Sequence, residues 1–165
     1  MKKLILMRHA KASWDVAAKR DLDRLLDPVG RREAIWMGQH LAGWGLVPEL
    51  LLSSHAARAH ETAGQIATET KYPQEAILIV PEIYEATGHD LVKVIQSLET
   101  TASTVMLVGH HPGLQEAVAI LSGTALGDFP TAGLASIRFE LASFAQVMPD
   151  SGDFERFEHP QGLAG

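Results

Sequence analysis

Arg8 and His9 stand directly behind the apolar run Leu4-Ile5-Leu6-Met7, and His110 and His111 follow a similar run, Val105-Met106-Leu107-Val108, after one glycine. A third run, Leu50-Leu51-Leu52, gives way to Ser53-Ser54-His55, with Arg58 one turn further on. A fourth, Ile77-Leu78-Ile79-Val80, is closed by Pro81 and followed by Glu82 and Glu85. Arginine presents a planar fork of donors that matches phosphate oxygens and stays charged at any working pH. Two arginines and a histidine neutralise most of a phosphoryl dianion, and a second, neutral imidazole is a good nucleophile toward phosphorus near pH 7. Positioning and charge neutralisation supply most of the catalysis in phosphoryl transfer, so such a set needs neither metal nor organic cofactor.

Four segments can converge only if the fold brings their ends to one edge. The apolar runs suit strands buried on both faces. Between them lie helical patterns. Asp27-Pro28 reads as an N-cap and first helical residue, followed by Ala34, Met37, Leu41 and Trp44 at spacings of three and four and by Gly43 and Gly45 at the end. A second helix runs from about Ala56 to Thr70, a third starts near Asp90 and buries Leu91, Val94, Ile95 and Leu98, and a fourth carries Leu114, Val118 and Leu121. Residues Leu134 to Leu141 alternate more loosely, as a half-exposed or edge strand would, and a short strand is expected around Phe154 to Phe157 before a fraying tail from about 159. Strand–helix alternation of this kind predicts an α/β three-layer sandwich, a mainly parallel central sheet with helices on both faces, in one domain over residues 1–165. Sites in such sheets lie beyond the carboxyl ends of the strands, where these residues fall.

Composition narrows the classes. The chain has 165 residues, 46% of them hydrophobic, a net charge of −6 and no cysteine. A substantial core is therefore expected, a dedicated nucleic-acid binder is not, and disulfides, thiolate zinc sites and a thiol nucleophile are excluded. No apolar run reaches membrane-spanning length, and Arg8 cuts the N-terminal apolar segment too short for a signal peptide, so a cytoplasmic location is expected. His110-His111 does not suggest a metal site, since adjacent histidines chelate one ion poorly and no carboxylate pattern accompanies them. His55 and His60 are five apart and diverge by about 140° on a helix, which makes them rim or surface residues. His40, four after Trp36, suits packing, and Trp14 is either a substrate-stacking residue or a loop anchor.

The blocks together resemble the histidine phosphatase, or phosphoglycerate mutase-like, superfamily. Met7-Arg8-His9-Ala10 is similar to its Arg-His-Gly signature, residues 52–63 (LSSHAARAHETA) to its second block, and Val108-Gly109-His110-His111-Pro112 to its third. The run from Leu6 to Asp15, the short chain and Pro130-Thr131-Ala132-Gly133 resemble SixA-type phosphohistidine phosphatases. The resemblance implies that His9 is the transiently phosphorylated nucleophile, that Arg8 and Arg58 bind phosphoryl oxygens, that His110 is a cationic second pocket histidine, and that the backbone amide of His111 adds a donor. Ser53 and Ser54 would shape the turn that presents Arg58. Three positions depart from the pattern: Ala10 replaces a glycine, His55 a proline, and Asp15 an asparagine near the phosphate, where a carboxylate would repel a dianion unless turned away or protonated. Many relatives use a carboxylic acid to protonate a leaving oxygen; Glu82 is the first candidate and Glu85 the second, although SixA-type members work without a strong acid. The implied partner is a protein carrying phosphohistidine, with inorganic phosphate as product; a small phosphoester is the alternative, and a non-catalytic phosphate-binding protein a more distant one.

Overall fold

The computed structural model describes residues 1–14 and 18–164. Strands β1 (Lys2–Arg8), β2 (Leu50–Ser53), β3 (Leu78–Ile79), β4 (Thr104–Gly109), β5 (Leu134–Phe139) and β6 (Asp153–Glu158) form one sheet in the order β3-β2-β4-β1-β5-β6. The β3–β2, β2–β4 and β4–β1 pairings are parallel, and β5 is antiparallel to both β1 and β6. Helices α1 (Pro28–Gly43) and α2 (Ala57–Thr70) pack on one face, α3 (Gly88–Gln96) and α4 (Gly113–Ser122) on the other. This is the expected α/β sandwich with a mostly parallel sheet.

The continuous apolar runs serve both faces at once. Leu4, Leu6, Leu52, Val105 and Leu107 enter the core beneath α3 and α4, while Ile5, Met7, Leu51, Met106 and Val108 alternate into the core beneath α1 and α2. The helix starts follow their local chemistry. Asp27 accepts a 2.7 Å bond from the Gly30 amide with Pro28 at the first position, and Thr87 and Asp90 close a reciprocal capping box on α3. Among the described residues, no helix is long and apolar enough to cross a membrane.

Four expectations are corrected. The run 77–80 forms only a two-residue strand at the sheet edge, with Leu78 46% and Ile79 39% exposed, because β2 covers one side and nothing in the sheet covers the other. Residues 134–139, expected at an edge, lie inside the sheet between β1 and β6 and are largely buried. Helix α3 buries Leu91, Val92 and Ile95 and leaves Val94 half-buried; it ends at Gln96, so Leu98 lies beyond it, also half-buried. Beyond β6, where fraying was expected, Pro160–Ala164 forms a short helix, α5.

The carboxyl ends of β1, β2 and β4 reach the same edge, and backbone bonds extend the ladder past them. The His9 amide donates to the Gly109 carbonyl (3.1 Å), the Ser54 amide to the Val108 carbonyl (3.2 Å), and the Ala132 amide to the His9 carbonyl (3.1 Å). Three strand ends and the 130–133 turn are thereby held in fixed register around His9.

Candidate active site

His9 is 8% exposed, and its Nδ1 lies 2.7 Å from the carbonyl of Ala10. A carbonyl only accepts, so Nδ1 carries the proton and the lone pair sits on Nε2. Burial above all, with His110, Arg58 and Arg8 adding positive charge, pushes the imidazole down to about 3, against a smaller opposing effect of the Ala10 carbonyl. The ring is therefore neutral at pH 7. The Ala10 amide in turn donates to Thr62 Oγ1 (3.0 Å), and Thr62 donates to the Arg58 carbonyl (2.8 Å), which ties the His9 turn to the first turns of α2. Ala10 is not among the residues with positive φ, so the turn does not need the glycine it replaces.

Two guanidinium groups flank this ring. Arg8 Nη1 donates to the Phe129 carbonyl (2.8 Å), while its Nε is buried without an acceptor among the described residues. Burial lowers the proton affinity of its guanidinium below the ordinary arginine range, partly offset by Asp128. A buried donor of this kind calls for an anion. Arg58, 7% exposed at the start of α2, donates from Nη1 to the backbone carbonyl of Asp21 and from Nη2 to its carboxylate, both at 2.9 Å. Asp21 also accepts from the Tyr84 hydroxyl at 2.6 Å and from Arg24 Nη1 at 3.0 Å. The Tyr84 hydroxyl first, then Arg24 and Arg58, hold the Asp21 carboxyl well below the usual carboxylate range, and the same bond raises Tyr84 to about 12.

His110 faces His9 with ring centroids 5.2 Å apart. Its Nε2 lies 2.9 Å from Ser54 Oγ, which also accepts from the Ala56 amide (3.1 Å), so only Nδ1 remains for a bound group. The Tyr84 ring stands edge-on to His110, 5.4 Å away, and also touches His55 at 5.4 Å. Burial, then the charge of Arg58, pushes His110 down to about 4, so it is neutral at pH 7 where the resemblance implied a cation. Ser53 turns inward and donates to the Ser54 carbonyl (2.8 Å), shaping the turn before α2.

Arg8, His9, Arg58, His110 and His111 line one pocket of about 340 Å³, together with Lys11, Ala12, Trp14, Arg24 and Thr131. Trp14 is 83% exposed at its mouth, with the Arg24 guanidinium stacked 3.7 Å from the ring centre. Glu82 and Glu85 do not line it. The 3₁₀ turn Pro81–Ile83 buries Ile83 in the core, and Glu82 borders a separate groove with Leu78, Val80 and Asp90. Glu85 acts on the Tyr84 hydroxyl and helps raise it. Asp15 lies outside the described residues. His40 packs between Trp36 and Trp44, and His55 and His60 are exposed. The sequence reading missed Asp21, Tyr84, Thr62 and the cationic rim of Lys11 and Arg24. For Asp21 the signal was the tight charge alternation Arg20-Asp21-Leu22-Asp23-Arg24 ahead of α1. Among the described residues, no group of three or more His, Cys, Asp or Glu is placed to hold a metal ion.

Comparison with known proteins bears on the fold and the family. The protein histidine phosphatase SixA, solved with tungstate, superposes with a TM-score of 0.83 at 25% identity, covering 98% of this chain and 99% of that one. A SixA protein from Agrobacterium tumefaciens gives 0.78 at 30% identity over 96% and 98%. An uncharacterised chloroplastic protein of Arabidopsis thaliana is 35% identical over 133 residues; the match covers 76% of this chain and 61% of the plant protein's length. Residues 4–89 match the histidine phosphatase superfamily (branch 1), a span that includes the Arg8-His9 and Arg58 blocks. The chain belongs to the histidine phosphatase superfamily.

Proposed function

We propose that this histidine-type phosphatase removes the phosphoryl group from phosphohistidine on a protein, through a phosphohistidine formed on His9. The single observation that carries the reading is the character of the pocket wall. Among the described residues none of its lining side chains is a carboxylate, and Asp21, which reaches Arg58 beside it, is kept ionised by Tyr84, Arg24 and Arg58. An alkoxide leaving group needs a proton from an acid poised near the working pH. A phosphorylated imidazole does not, because it takes a proton from water on its far nitrogen and departs as neutral imidazole.

The steps follow from the hydrogen bonds. Arg8 and Arg58 grip the phosphoryl oxygens, with the His111 amide as a further donor. His9 Nε2 attacks phosphorus in line; the substrate P–N bond breaks and its electron pair returns to the leaving imidazole. The Ala10 carbonyl keeps Nδ1–H in place, so phospho-His9 is an imidazolium and a good leaving group in its turn. Water then attacks phosphorus, the P–Nε2 bond breaks, its pair returns to His9, and a proton and inorganic phosphate are released. His110 donates to the transferring oxygens once the dianion has raised its proton affinity. A protein-borne imidazole can enter beside the exposed Trp14 and Lys11.

The test compares kcat/KM for a phosphohistidine peptide with that for alkyl and aryl phosphates. A preference for the peptide over the alkyl ester of about a hundredfold or more is expected, the range that a missing general acid accounts for. Equal or better turnover of the alkyl ester would overturn the assignment.

A further inference from the structure

We propose that Asp21 is a positioning residue for phosphoryl transfer, holding the Arg58 fork in register and steadying His110 through Tyr84. This rests on the phosphatase reading of the pocket but not on the identity of the leaving group.

A carboxylate beside a phosphoryl site is an electrostatic liability, since it repels the dianion that the arginines attract. Asp21 nevertheless sits against Arg58 with both its backbone carbonyl and its side chain. Those two acceptors occupy the terminal nitrogens of the guanidinium and so fix the plane and rotation of the group. The Nε edge is left for phosphoryl oxygens, which is the geometry a bidentate contact requires. One carboxylate oxygen is shared between Arg58 and Tyr84, and the Tyr84 ring, so anchored, stands edge-on against His110. Ser54 holds His110 through its Nε2. One side chain therefore connects α2, the turn after β3 and the loop after β4.

The turn that carries Asp21 is itself fixed. Arg20 grips Asp23 with two bonds of 3.0 Å, the Arg24 amide donates to the Asp21 carbonyl, and Arg24 Nε donates to the Ser13 carbonyl at 3.0 Å. Asp21 is open to water on one side, where an isolated ion pair contributes little to stability. Its worth then lies in geometry, and its loss should be read in turnover.

The experiment compares Asp21→Asn, Tyr84→Phe and the double variant, each assayed on a phosphohistidine peptide and on an aryl phosphate, with unfolding midpoints measured in parallel. Asp21→Asn is expected to lower kcat about tenfold or more with KM changed less than about threefold, the split that marks loss of transition-state geometry. Tyr84→Phe should give a smaller loss in the same direction. The double variant should be no slower than Asp21→Asn alone, because Tyr84 acts through Asp21. Unfolding midpoints should stay together. An unchanged kcat in Asp21→Asn, losses that simply multiply in the double variant, or a kcat loss matched by unfolding would each overturn the proposal. A wild type that turns over the aryl phosphate and rejects the peptide would overturn the leaving-group assignment instead, with Asp21 still judged on the aryl substrate.

Discussion

His9 Nδ1 is held 2.7 Å from the carbonyl of Ala10, and this one contact decides which nitrogen can react. With Nδ1 protonated, the lone pair lies on Nε2, the atom proposed as the nucleophile. Acid-sensitive labelling with a phosphorylated substrate should therefore place the phosphoryl group on Nε2 of His9. His9→Ala should give no label and no detectable turnover. Inorganic phosphate should still bind it, since Arg8 and Arg58 are untouched. Labelling elsewhere, or turnover equal to wild type, would remove His9 from the mechanism.

Arg58 supplies one of the three guanidinium groups that line the pocket, with Arg8 and Arg24. Arg58→Ala is expected to weaken binding of inorganic phosphate by about 1.5–3 kcal/mol, or about ten- to 150-fold, the range for loss of a charge-assisted contact. Arg58→Lys should recover charge but not activity, because an ammonium cannot take two Asp21 acceptors and a phosphoryl group in one plane. Full recovery by lysine would show that charge alone matters. Isothermal titration with phosphate and steady-state kinetics on both variants separate these outcomes.

Acid stability follows from the two buried imidazoles. His9 is lowered from 6.5 to about 3 and His110 from 6.5 to about 4. Burial is the main cause in both, with Arg8 and Arg58 adding to each, His110 acting on His9, His55 acting on His110, and Asp21 opposing at His110. Between those values and 6.5 the unfolded chain binds more protons than the folded one, so stability rises with pH through that window and is lost as pH falls through it. Urea midpoints of wild type should drop more between pH 7 and pH 4 than those of the double variant His9→Gln, His110→Gln. Parallel pH curves for the two proteins would refute the account.

Glu82 shows why sequence position after a strand does not settle a role. It follows β3 at a place where an acid could serve the site, but the 3₁₀ turn sends Ile83 into the core, Glu82 to the outer groove and Tyr84 toward Asp21. Glu82→Gln is therefore expected to leave kcat and KM on a phosphohistidine peptide within about twofold of wild type. A loss of tenfold would return Glu82 to the mechanism.

Strands buried on both faces leave uninterrupted apolar runs, which is why β1, β2 and β4, and with them Arg8, His9, Arg58 and His110, could be read directly. The same signal misled at Ile77-Leu78-Ile79-Val80, because an apolar run does not say whether a neighbour lies on both sides. At β5 the polar positions looked solvent-facing. In the structure Ser136 is buried, and Arg138 is occupied by Glu140, Asp153 and Glu155. Asp21 was illegible for a different reason. Its partners Arg58 and Tyr84 lie 37 and 63 residues away, and no local periodicity encodes a contact of that range.

The pocket wall also depends on a helix that never touches it. Gly30, in the first turn of α1, lies so close to the Lys11 backbone that a Cβ there would stand 2.0 Å from the Lys11 carbonyl oxygen. That carbonyl accepts from the Asp27 amide at 3.0 Å, and the segment beyond it carries Ala12 and Trp14 into the pocket wall. Alanine would gain about 1 kcal/mol of helix propensity over glycine. A backbone atom at 2.0 Å cannot give by rotating a side chain, so the overlap must displace the Lys11 segment or the helix, at a cost of about 1–3 kcal/mol beyond that gain. Gly30→Ala should lower the unfolding midpoint and raise KM for the peptide. Gly43→Ala, in the last turn of the same helix with nothing within 4 Å of its Cβ position, should raise the midpoint and leave KM alone. Matching effects of the two substitutions would mean that α1 and the pocket wall are not coupled through this contact.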